Sequence, residues 1–106
     1  MAWIVLLAAG VLEVVWSVAM KLSHGFTRPG ASLITIAAMI GSVVLLALAM
    51  RSLPLGTAYT VWTGIGAVGA FAVGIAFLGE DASALRVLAA AVIVTGLVLM
   101  KVASPS

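Results

Sequence analysis

Charge is the scarcest property of this sequence. Of 106 residues, five are Lys or Arg and three are Asp or Glu, so 8% are charged where an ordinary soluble domain carries about a quarter. Together with 65% apolar residues and a mean hydropathy of +1.38, that scarcity excludes a soluble globular fold and makes lipid the expected solvent. Cysteine is absent, which excludes disulfides, iron–sulfur clusters and thiol catalysis. The basic residues are scattered, so a net charge of +2 offers no cluster to follow a phosphate backbone, and nucleic acid is not an expected partner. His24 lies in a polar loop without Cys or carboxylate neighbours and is assigned no role. Glu80 and Asp81 read as a solvated loop and helix cap, and no cofactor, metal site or enzymatic motif is expected. The N-terminus lacks the basic region of a signal peptide and Glu13 interrupts its apolar stretch, so the first span is expected to stay.

What the chain does have is apolar length. A helix crossing about 30 Å of hydrocarbon needs roughly 20 residues, which leaves room for four spans and little else. Charges and turn formers set their limits at about 2–21, 30–50, 54–78 and 84–102, within a single four-helix transmembrane domain, 1–106. Ser23 to Gly30 is polar and rich in helix breakers, and Arg51-Ser52-Leu53 fits only a tight hairpin. Pro54 suits the first turn of the third helix, and Asp81 or Ser83 is available to cap the fourth. Arg86 and Lys101 are expected inside the ends of span four, snorkelling outward.

Four spans put Arg51 and Lys101 on one side of the membrane and Lys21, Arg28 and Arg86 on the other. Lys/Arg excess in short cytoplasmic loops sets orientation, and two against three is almost no excess. A chain this small has few charges to count and could be oriented by other means. The sharper expectation is dual topology, with copies inserted both ways and paired antiparallel.

Glu13 is the most informative residue. A carboxylate at the centre of a span costs about 2.5–3.5 kcal/mol on insertion scales, so such groups face a bundle interior or a wet cavity and mark ion or substrate paths. A purely structural alternative is a protonated Glu13 that only fixes helix packing. Counted at about 1.5 Å per residue from the N-terminal face, Glu13 lies about 16 Å deep, Ser42 about 13 Å and Trp62 about 12 Å. Tyr59 shares the Trp62 face, and Gly10, Trp16 and Ser17 share that of Glu13. Ser42 alone could be a small packing residue, and Trp16 could belong to an interfacial belt, whereas Trp62 is too deep for one. Gly66-Ala70-Gly74 forms a small-xxx-small ridge, while Gly64 and Gly66 could equally mark a bend in the helix. Ala89 and Gly96 offer a flat stripe on span four for dimer contact.

Proton and cation would compete for Glu13, which is the minimum apparatus of antiport. A single four-helix chain can hardly enclose a path and gate both ends. An antiparallel pair supplies the inverted repeat, with two Glu13 carboxylates at the midplane titrating together.

At Glu13, at Lys21-Leu22-Ser23-His24-Gly25-Phe26-Thr27-Arg28 and at Pro54-Leu55-Gly56-Thr57-Ala58-Tyr59-Thr60-Val61-Trp62-Thr63-Gly64-Ile65-Gly66, the chain resembles the small multidrug resistance family over essentially its whole length. The resemblance implies an all-α antiparallel homodimer, four helices per subunit, in a bacterial plasma (inner) membrane and in contact with its lipid. It also implies export of cations against protons, with Glu13 of both subunits as the shared site. Trp16, Met39, Ser42 and Lys101 resemble the family's guanidinium-exporting branch. In that branch Glu13 binds guanidinium, Trp16 and Ser42 hold the carboxylate by hydrogen bonds, and Tyr59 and Trp62 line the site. Lys101 would lie near the dimer surface. Guanidinium suits such a site because its planar donor fork meets a carboxylate bidentately and stacks on aromatic rings. Two alternatives remain open at this stage. One is an exporter of quaternary ammonium cations, which need greasy aromatic walls that Met39 does not supply. The other is a non-transporting membrane subunit that uses Glu13 for assembly.

Overall fold

The computed structural model describes residues 1–103, so residues 104–106 of the expected domain 1–106 lie outside the described residues. Four helices account for nearly all of the rest: α1 (Ala2–Leu22), α2 (Pro29–Ala49), α3 (Leu55–Phe77) and α4 (Ala84–Ala103). Their lengths of 21, 21, 23 and 20 residues and their apolar composition each suffice to cross a membrane, and the protein is a multi-pass membrane protein.

The helix ends follow from local chemistry. Ser23, fully buried, closes α1: its hydroxyl donates to Met20 O (2.6 Å) and accepts from Phe26 N–H (2.9 Å), while its carbonyl accepts from Thr27 and Arg28 N–H. The chain then turns through His24, Gly25 and Phe26, all at positive φ (50°, 73° and 67°). Pro29 opens α2 as its first residue, where no N–H is needed. Pro54 caps α3 from just outside, with extended backbone, rather than standing in its first turn. Of the two expected caps for α4, Ser83 takes the role, its hydroxyl accepting from Arg86 N–H at 3.4 Å.

The helices stand in a single row. α1 lies between α2 and α3 and packs along both, α2 and α3 meet only briefly, and α4 leans on α3 alone. The resulting body measures 43 × 34 × 16 Å, so its thin dimension is little more than one helix, about 10–12 Å across with side chains. The packed core, Leu6, Ala9, Leu46, Ala49, Leu53, Ala58 and Val61, occupies the half of the molecule next to the α2–α3 turn. α4 buries no residue. Its two basic residues anchor its ends through aromatic rings: Arg86 lies 5.1 Å from the Phe71 centroid and Lys101 Nζ lies 4.9 Å from that of Trp3.

Candidate functional site

Glu13 projects from the middle of α1 toward α3, half-buried, and its carboxyl rests on helix backbone. A methyl group in place of the Gly66 hydrogen would lie 2.5 Å from Glu13 Cδ and 2.7 Å from Oε1. Only glycine leaves that space, so Gly66 is the seat of the carboxylate. Gly10 works the same way one turn earlier, where a methyl would meet Ile65 Cγ2 at 2.6 Å. These two glycines bring α1 and α3 together on either side of the site. Gly64 turns to the opposite neighbour and admits Leu97 of α4. α3 runs unbroken through Gly64 and Gly66, and in this structure both are positions of close approach.

One turn from Glu13, three helices are tied by a hydrogen-bonded relay. Ser42, fully buried on α2, donates to the Ala9 carbonyl of α1 at 2.6 Å and accepts from Trp62 Nε1–H of α3 at 2.9 Å. The Tyr59 and Trp62 rings lie 5.6 Å apart, tilted by 49°. Tyr59 keeps about half its surface exposed. Ser42 and Trp62 thus stand level with Ala9, and Glu13 and Gly66 form the next turn of the same layer.

The resemblance implied that Ser42 and Trp16 hold the Glu13 carboxylate. Here the Ser42 proton goes to Ala9 O, because that carbonyl faces the gap between α1 and α2 and has a second lone pair to accept it. The Trp16 indole N–H and Glu13 Oε2 are both buried and, among the described residues, neither has a hydrogen-bond partner. A buried donor and a buried acceptor left unpaired three residues apart on one helix are costly, and the Trp3 indole N–H is unpaired in the same way. Ala89 and Gly96 lie on the exposed surface of α4, and nothing comes within 4 Å of the space beside Gly96. Lys101 lies over Trp3 of its own chain rather than on that stripe.

Sequence reasoning missed the Ala9 carbonyl, which as backbone carries no sequence signal. It also read Gly66 as ridge or bend. The signal that would have found its role is register: Gly66 lies one turn beyond Trp62, at the depth reckoned for Glu13.

The assembled site offers a half-buried carboxylate, an unpaired indole donor and two aromatic rings beside a fixed hydroxyl. That is a receptor for a small cation bearing N–H donors or a flat face. Among known proteins, the chain is 59% identical to a guanidinium exporter of Citrobacter freundii over 98% of this chain and 99% of the relative. It is 57% identical to a guanidinium exporter of Yersinia pestis (98% and 100%) and 56% identical to one of Escherichia coli K12 (98% and 99%). The family model described as Small Multidrug Resistance protein matches residues 1–94, and with this four-helix row the chain belongs to the small multidrug resistance family.

Proposed function

We propose that the protein is a proton-coupled antiporter that exports guanidinium across the bacterial inner membrane. It works as an antiparallel homodimer in which Glu13 of each subunit alternately binds proton and cargo. The observation that carries this reading is the Glu13 carboxyl, seated on Gly66 with Oε2 unpartnered, one turn from the Trp62–Ser42–Ala9 relay. Deprotonated Glu13 accepts the N–H fork of guanidinium, and Trp62 and Tyr59 supply ring faces to the delocalised cation. Proton binding cancels the charge that holds the cargo. Each carboxyl therefore carries either a proton or a cation, which couples the two flows in opposite directions.

The homodimer is favoured by the row of helices. Glu13 is only partly enclosed by its own chain, so a second copy is needed to close a path around a cation. The almost even split of Lys and Arg between the two faces favours insertion both ways, which an antiparallel pair requires. Relatives named as guanidinium exporters favour guanidinium over quaternary ammonium as cargo, and Oε2 favours a cation with N–H to donate.

The test is uptake into proteoliposomes under an imposed pH gradient. Guanidinium should move against the proton flow, and tetramethylammonium, lacking N–H, should move far more slowly. Absence of gradient-driven guanidinium movement would overturn the proposal.

A further inference from the structure

The two halves of the chain on either side of Glu13 are built differently. Toward the α2–α3 turn the way is blocked by the Ser42–Trp62 relay and the packed core. Toward the opposite face, α1 presents Glu13, Ser17 and Lys21 at four-residue intervals, one above another. α3 presents Gly66, Ala70 and Gly74 in matching register, a file about 12 Å long. The Glu13 carboxyl occupies the first notch of that file and the Glu80 carboxyl the last, where a methyl on Gly74 would lie 2.5 Å from Glu80 Oε1. At the Glu80 end lies a cavity of about 120 Å³ lined by Ser17, Val18, Lys21, Ala70, Leu78 and Glu80, whose inner wall, Ser17 and Ala70, is one helical turn from Glu13 and Gly66. That is room for about four waters.

Glu80 is placed there by the turn after α3. Gly79, at φ 71°, sends the chain back so that Glu80 N–H donates to Gly74 O at 3.1 Å. Arg86 Nη2 lies 3.6 Å from Glu80 Oε1, and Nη1 donates to Asp81 O. The charged groups on this face are Lys21, Arg28 and Arg86 against Glu80 and Asp81, and His24 lies in the neighbouring loop. The two carboxylates offset most of that positive charge, so a cation can enter without being trapped, as conduction requires.

We propose that this α1–α3 crevice is the route by which cation and proton pass between Glu13 and the membrane face carrying the α1–α2 and α3–α4 loops. Glu80 is the carboxylate that receives the cation at the mouth, and Ser17 is the oxygen half-way along. The route rests on Glu13 as the cargo site but adds two residues to it. In an antiparallel pair the two crevices point to opposite faces, and coupled exchange requires that only one of them connect to the Glu13 pair at a time.

The chain has no cysteine, so Ser17→Cys carries the only thiol. In proteoliposomes a cationic methanethiosulfonate reagent should modify it, and guanidinium should slow the reaction when Glu13 is present but not in a Glu13→Gln background. Val15→Cys, on the exposed apolar side of α1, should resist the same reagent. Failure to modify Ser17→Cys, or equal modification of both thiols, would overturn the route.

Kinetics give a second readout with opposite signs. Glu80→Gln makes the mouth more positive and should raise KM for guanidinium about 2-fold at low salt, kcat unchanged, as expected for one charge about 10 Å away in water. Arg86→Gln removes a positive charge and should lower KM, whereas Arg86→Lys should not change it. Both shifts should fade near 1 M salt, where the Debye length is about 3 Å. If the pair is only a clasp holding the loop, Glu80→Gln and Arg86→Gln will shift KM in the same direction and the route is wrong. Loss of exchange in Glu13→Gln alongside that result would leave the antiport reading standing. Retention of exchange in Glu13→Gln would overturn the antiport reading itself.

Discussion

At the scale of single residues, the site depends on what is missing at position 66. With Cδ of Glu13 2.5 Å from where a Cβ would be, Gly66→Ala must push the carboxyl out of its seat, and because a carboxyl ends a flexible side chain it can swing aside. The expected result is a loss of guanidinium exchange with little change in stability. Thermal unfolding in detergent and proteoliposome flux would measure both, and a variant with normal flux would show that Glu13 does not need this seat. Ser42→Ala has a different signature. It leaves the Trp62 indole N–H buried without its acceptor, a penalty of about 1–3 kcal/mol. Because Ser42 bonds Ala9 and Trp62 rather than Glu13, the fall in stability should be accompanied by a change in Trp62 fluorescence. Glu13 itself was legible at once, since a charge in a long apolar run is expensive and therefore conspicuous. The partners of Ser42 were not legible, because a hydroxyl in a span bonds any of several neighbours and one of those chosen is a backbone carbonyl.

At the scale of elements, the spans could be read because charges and breakers are so few that each marks a boundary, as Lys21, Pro29, Arg51 and Pro54 do. The way the ends are finished could not. Ser23 is one of several polar residues in its loop, yet it alone is fully buried, and its hydroxyl and carbonyl organise the turn into α2. The turn it supports holds His24 and Phe26 at positive φ, a conformation that a bulky aromatic seldom adopts. Ser23→Ala should therefore destabilise the α1–α2 hairpin by about 1–2 kcal/mol. Faster amide exchange from Ser23 to Arg28, with little change in mid-helix amides, would be the expected pattern. Uniform exchange would show that the turn does not depend on this hydroxyl. The pinning of α4 by Arg86 on Phe71 and Lys101 on Trp3 was also invisible in sequence, where the two residues read as snorkelling cations.

At the scale of the whole molecule, the row of helices and the charge distribution bear on the same question. A row has two open faces, and the proposed function sets a partner across the one that carries Glu13. If that partner is an inverted copy, orientation must be mixed, and a nearly even charge count is the condition under which insertion does not choose. Ser52, exposed in the α2–α3 turn, is well placed to report orientation, since Ser52→Cys adds one thiol to a chain that has none. In inverted and right-side-out vesicles alike, about half of the Ser52→Cys thiols should react with a membrane-impermeant maleimide, as an even two-way insertion dictates. Adding two lysines to that turn should fix it on the cytoplasmic side, abolish exchange when the variant is expressed alone, and restore exchange when it is co-expressed with a variant biased the other way. Labelling from one side only in the unbiased chain, together with full exchange by the biased variant alone, would instead require a parallel assembly, and the two Glu13 carboxylates would then have to meet by a different symmetry.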